Sequence, residues 1–176
     1  MKVYFDTCSL QRPLDDKNQV RIALEAEAIL GAIMLAEMGT FELISSETLL
    51  FEVQKTPKVQ RQRYVLNVLN KGKIFIPLNE DIKNRAKALN QIGIKPVDAL
   101  HLSSAEAAGA DYFCTCDDRF LKKAKKLKDN KTTAVSPLGK IITSSKQNSP
   151  KLENGMRMWF LEMRGWNRIS RITLNF

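Results

Sequence analysis

The residues best equipped for chemistry in this chain are carboxylates. Asp6 closes the apolar run "VYF", Glu52 sits in "LLFEVQ", Asp98 in "KPVDAL", and Asp117 and Asp118 follow "YFCTC". Two unit charges about 4 Å apart repel by roughly 4 kcal/mol at an effective dielectric near 20. Acids that converge therefore need a cation or shared protons. All-oxygen donors of this kind suit Mg2+ or Mn2+ rather than zinc or copper, and magnesium keeps water ligands that can supply a nucleophile. Other chemistries are poorly supplied. The only histidine, His101, has no obvious nucleophile partner, and no glycine-rich phosphate loop is present, which argues against a triad hydrolase and a P-loop ATPase. Cys8, Cys114 and Cys116 lack zinc-ligand spacing and read as reduced, half-buried thiols.

These acids matter together only if the fold gathers them. Short apolar runs alternate with longer segments of helical period, which predicts crossover connections and a mostly parallel sheet of five strands between helices. The strands are "KVYF" before Asp6, "FELI" from Phe41, "KIFIPL" from Lys73, "YFCTC" from Tyr112 and, more weakly, "TTAV" from Thr132. Helices are expected from Gln19 to Met38, ending on Gly39; from Ser46, a good N-cap; from Val59 to Leu69; from about Glu80 to Gln91; from Pro96 to Ala108; and over "RFLKKAKKL". In an open parallel sheet, ligands bind outside the carboxyl ends of the strands. Asp6 and Asp117 end two strands there, Glu52 lies in the second turn of a helix that starts at that edge, and Asp98 lies in the first turn of a helix that returns to it. Each acid also has a plainer reading. Asp6 fits a turn, Asp98 a dipole-stabilising first-turn position, and Asp118 an N-cap.

The 176 residues carry a formal charge of +9 with pI near 9.6, a balance suited to a polyanionic partner. More than half of the excess falls from Lys140 onward. The apolar run "AILGAIMLA" is about half of the roughly 20 residues a membrane span needs, and the first residues lead straight into a strand without room for a leader, so a cytoplasmic protein without membrane attachment is expected. A carboxylate-held cation in a basic protein points to phosphodiester hydrolysis. The segment "TSSKQNSPKLENG" reads as a linker.

The motifs "VYFDTCSL", "ISSETLLFEV" and "KPVDALHLSSAEAAGADYFCTCDDRFL", in this order and spacing, resemble the PIN domain, especially its VapC-type toxin branch. The resemblance covers about residues 1 to 140. It implies a PIN-like three-layer α/β/α sandwich, a metal-dependent ribonuclease and a small cognate antitoxin as partner, with a homodimer as the assembly. Carried over by motif, Asp6, Glu52, Asp98 and Asp117 match the acidic quartet, with Asp6, Asp98 and Asp117 as ligands for Mg2+ or Mn2+. Thr7 matches the small hydroxylic residue after the first acid, Asp118 an auxiliary acid. Arg12, in a loop over the carboxyl edge, is a candidate phosphate grip, with a solvated loop the alternative. Ser46 reads as an N-cap and His101 as a structural histidine at the margin of the site. The lysines at 122, 123, 125, 126 and 128 form either an RNA-facing flank or a solvated helix face.

The domain expectation is therefore a nuclease domain over residues 1–142, followed by a linker and a basic aromatic extension over 143–176 that matches no motif of the family. Two other functions fit the same sequence: a DNA or structure-specific nuclease, and a nucleic-acid-binding or scaffold protein of the same fold without catalysis.

Overall fold

The computed structural model of the chain describes residues 1–139, and the extension expected over 143–176 lies outside the described residues. Its centre is a five-stranded sheet in the order β3-β2-β1-β4-β5, with every pair parallel. The strands are β1 (Lys2–Phe5), β2 (Glu42–Ser46), β3 (Ile74–Ile76), β4 (Tyr112–Cys114) and β5 (Thr133–Val135). Strands covered on both faces need no polar alternation. β1 shows this in full: Val3, Tyr4 and Phe5 are consecutive and all but completely buried.

Around the sheet lie α1 (Thr7–Gln11), α2 (Val20–Glu37), α3 (Glu47–Gln54), α4 (Val59–Leu69), α5 (Glu80–Gln91), α6 (Pro96–Ala107) and α7 (Asp118–Ala124), with a 3₁₀ turn over Arg12–Leu14. This is the α/β sandwich expected, with a purely parallel sheet. Ser46, the last residue of β2, caps α3 by accepting from the Leu49 amide at 3.2 Å. Gly39 takes φ +75° after α2, and the Thr40 amide reaches back to the Leu35 carbonyl, closing the helix in the turn a left-handed residue permits.

Two elements differ from the expectation. α1 occupies what reads as loop, because a five-residue helix whose buried positions are Thr7, Ser9 and Leu10 shows no apolar period. α7 ends at Ala124 rather than continuing through "KKL", because Lys126 and Leu127 donate to carbonyls three residues back and turn Leu127 onto the core.

A run of alternating charges ties these outer elements together. Arg61 on α4 meets Asp15 at 2.8 Å, Asp15 meets Arg12 at 2.9 Å, and Arg12 meets Glu25 at 3.0 Å. Glu25 also meets Arg21 at 2.8 Å, and Arg21 forks onto both oxygens of Asp118 at 2.6 and 2.7 Å. Glu25, on α2, is 1 % exposed and carries the centre of the run. Its sequence context, "LEAEA", gives no sign that this glutamate and not its neighbour Glu27 faces inward.

Removing one partner of a buried pair leaves the other uncompensated, at about 3 to 5 kcal/mol. Because Arg21 is half exposed, Glu25→Ala is expected to cost about 3 kcal/mol, at the low end of that range, read as a lower urea midpoint at unchanged slope. A loss below about 1 kcal/mol would place this run with ordinary surface pairs.

Candidate active site

The central pair of strands sets the first two acids. Phe5 and Cys114 are in register across β1 and β4, and the Asp6 amide extends the ladder by one bond, donating to the Cys114 carbonyl at 3.1 Å. Asp6 then caps α1, its Oδ1 accepting from the Ser9 amide at 2.8 Å while the Cys8 thiol lies 3.1 and 3.2 Å from its two oxygens. Asp117, three residues beyond Cys114, caps α7 in the same way. Its Oδ1 accepts from the Arg119 and Phe120 amides at 2.7 and 3.0 Å, and Lys95 Nζ stands 3.9 Å from Oδ2. Both acids are thus anchored through Oδ1 at the carboxyl edge of neighbouring strands. Capping and site placement are one geometry here, with Asp117 in the N-cap position and Asp118 in the first turn.

Glu52 is positioned from the core. Its Oε2 lies 2.7 Å from His101 Nε2, His101 Nδ1 lies 2.8 Å from the Tyr4 hydroxyl, and that hydroxyl lies 2.8 Å from Ser46 Oγ. An ionised carboxylate only accepts, so His101 Nε2 carries a proton. In the neutral tautomer Nδ1 then accepts from Tyr4, Tyr4 accepts from Ser46, and Ser46 accepts from the Leu49 amide. Every hydroxyl in the line both donates and accepts once. Burial raises the Glu52 carboxyl, but the hydrogen bond from His101, the charge of that ring once it is protonated, and the Thr7 hydroxyl outweigh it and hold the group below its ordinary range. The fully buried Tyr4 phenol is pushed well above its usual value by that burial, so it stays a neutral donor.

Asp98 lies in the first turn of α6, one turn ahead of His101. Burial raises its carboxyl, Lys95 and His101 oppose this, and the charges of Asp117 and Asp6 raise it further, leaving the group above its ordinary range. Asp98 therefore feels the other two aspartates across the edge, which connects acids from β1, α6 and the turn after β4. Thr7, 7 % exposed, lines a cleft with Glu52, and its hydroxyl helps hold that carboxyl low.

The donor set fits a hard divalent cation in type, being carboxylate oxygens, and in charge, since a cation would relieve the repulsion that Asp98 registers. Among the described residues no three acid, imidazole or thiol groups are arranged closely enough to enclose one. Arg12, against Cys116, and Asp118, next to Asp117, are both taken up by ion pairs. Arg12 spends its guanidinium on Asp15 and Glu25, and the Arg21 fork holds the Asp118 carboxyl below its ordinary range. Lysines 122, 123, 125, 126 and 128 are all exposed, with Lys123 on the Gly93 carbonyl.

The sequence left out Tyr4 as the link between Ser46 and His101, and Cys8 as a neighbour of Asp6. Tyr4 has a signal in retrospect, being a phenol in a strand too buried to leave its hydroxyl unpaired. For Cys8 no local signal exists.

The two perturbed carboxyls predict opposite slopes in metal-free protein. Glu52, lowered from 4.5, binds fewer protons folded than unfolded, so stability rises with pH through that window and is flat above it. Asp98, raised from 3.8, binds more protons folded, so stability falls as pH rises through its window. Denaturant titrations in EDTA from pH 3 upward should therefore show Glu52→Gln less stable than the parent at neutral pH and Asp98→Asn more stable. Parallel curves for both variants would contradict these placements.

A comparison with family models matches residues 3–126 to the PIN domain. Curated proteins give no match. Among solved structures the fold is similar to a chain in the crystal structure of VapBC2 from Rickettsia felis bound to a DNA fragment from their promoter, with a TM-score of 0.52 and 15 % sequence identity over 77 % of this chain and 98 % of that one. No helix among the described residues is long and apolar enough to cross a membrane. With a family-model match across most of its length and the parallel sheet that the motifs predict, this chain belongs to the PIN domain family.

Proposed function

We propose that this protein is a divalent-metal-dependent endoribonuclease, the toxin of a toxin and antitoxin pair. The observation that carries the reading is the anchoring of Asp6 and Asp117 on neighbouring strand ends, with Asp98 close enough for its carboxyl to register both charges. In this reading Asp6, Asp98 and Asp117 hold Mg2+ or Mn2+. When bound, the cation offsets charge on the phosphate and supplies an acidified water. Glu52 has Oε2 committed to His101, which leaves Oε1 to take a proton from the attacking water, and its lowered carboxyl keeps it in the accepting form. Thr7, beside Glu52 on the same cleft, offers its hydroxyl to orient that water. Arg12 and Asp118 support the edge through their ion pairs with Glu25 and Arg21.

The likeness to a chain of a VapBC2 structure supports a small antitoxin as the protein partner, and the charge of +9 supports a nucleic-acid substrate. Purified protein incubated with Mn2+ and matched RNA and DNA oligonucleotides is expected to cleave the RNA. Glu52→Gln should lower kcat by about 10²- to 10⁴-fold, the range for loss of a general base, and Asp6→Asn should abolish cleavage with unchanged far-UV dichroism. Cleavage that survives Asp6→Asn removes the proposed metal site, and faster cleavage of DNA would make this a DNA nuclease using the same acids.

A further inference from the structure

We propose that Cys8 and Cys116 form a thiol-modification site: a low-molecular-weight disulfide converts the pair to a Cys8–Cys116 bridge, and the bridge frees Asp6 for a cation. The bridge itself stands apart from the nuclease reading above. Its effect on Asp6 rests on the metal-holding part of that reading.

Cys8 lies on α1 two residues after Asp6, and Cys116 follows β4 one residue before Asp117, so the two cysteines accompany two acids at neighbouring strand ends. The Cys116 amide donates to Cys8 Sγ at 3.3 Å, and the two thiols are themselves hydrogen-bonded. Sulfurs already in contact can be joined without the backbone movement that distant cysteines require. Ser9 steadies the second thiol, its Oγ standing 3.1 Å from the Cys114 carbonyl and 3.7 Å from Cys116 Sγ. Cys114, the remaining cysteine, is completely buried.

Access orders the reaction. Cys8 is exposed and lines the cleft of about 340 Å³ together with Glu52 and Lys55, whereas Cys116 is buried. An oxidant therefore meets Cys8 first. The Cys8 sulfur bonds to one sulfur of the small disulfide, whose other half leaves as a thiol carrying the Cys8 proton. The Cys116 sulfur then attacks Cys8 Sγ, and the second half leaves as a thiol carrying the Cys116 proton. Two protein thiols lose two electrons and two protons, and the oxidant gains both. The Lys55 ammonium on the same cleft favours an oxidant that bears carboxylates.

The consequence falls on Asp6. Cys8 Sγ lies 3.1 and 3.2 Å from its two oxygens, so the thiol hydrogen points where a cation would stand. Bridging removes that hydrogen. Oδ1 keeps the Ser9 amide, and Oδ2 is left without a donor among the described residues.

The test uses the full chain, reduced and freed of metal, then incubated with oxidised glutathione. After alkylation of the remaining thiols in denaturant, mass spectrometry is expected to show one bridge joining Cys8 to Cys116, with Cys114 alkylated. Cys114→Ser should bridge in the same way, and Cys116→Ser should instead hold half of the oxidant as a mixed disulfide on Cys8. Calorimetric titration with Mn2+ then reads Asp6. The bridged parent and reduced Cys8→Ala should both bind about two- to tenfold more tightly than the reduced parent, the range for removing one competing hydrogen bond. Three free thiols, a bridge that includes Cys114, or a mixed disulfide that persists on the parent overturns the site. A bridged protein that binds Mn2+ no more tightly than the reduced parent overturns the effect on Asp6. Absence of Mn2+ binding in both states would sink the metal reading and that effect together, while the mass spectra still decide the bridge.

Discussion

Like charge held at one edge of a sheet is the constraint on which this structure turns. Asp6, Asp98 and Asp117 repel one another, and the fold sets each on an element that cannot retreat. Asp6 is fixed by a ladder bond and a helix cap, Asp117 by two amides of α7, and Asp98 by the first turn of α6. Burial first, and the charges of Asp117 and Asp6 after it, leave the Asp98 carboxyl raised. Free energy is spent on keeping acids together, as expected where a site exists for something to bind. The helix ends at this edge soften the cost, since their amides face the carboxylates.

Glu52 obeys a different rule. Its neighbours are dipoles and an imidazole rather than other acids, and they arrive from β1, β2 and α6 through side chains buried in the core. The result is a carboxyl lowered beside one that is raised. Two acids with opposed ionisation in one region can divide the work of accepting a proton and of holding a cation. The apolar packing around Tyr4, which stacks on Phe113 at 5.4 Å, is what keeps the line straight, so core and site are not separable here.

Much of this was legible in the residues themselves. β1 declares itself by three apolar side chains in a row, and Asp6 and Asp117 by stopping such runs, because a strand buried on both faces leaves charge only at its ends. Gly39 and Ser46 announce a helix end and a helix start through local chemistry. What escaped was pairing over long separation. Glu25 looks like Glu27 until α2 is docked, and Arg12 looks free until Glu25 is buried beneath it. α1 escaped for the opposite reason, since its determinants are local but too few to repeat. A charged side chain reveals its exposure only when its partner is known, and that partner lies in another element.

The line from Leu49 through Ser46, Tyr4 and His101 to Glu52 has a polarity, and polarity has two senses. With a neutral imidazole, all donors point toward the carboxylate. A second proton on the ring would make Nδ1 a donor, force the Tyr4 hydroxyl to turn toward Ser46, and ask Ser46 Oγ to accept from both Tyr4 and Leu49 while its own proton lost its acceptor. No intermediate arrangement satisfies every group. The cap of α3 and the state of the imidazole therefore behave as the two ends of one toggle, so a proton gained by the ring would be felt at the start of the helix that carries Glu52.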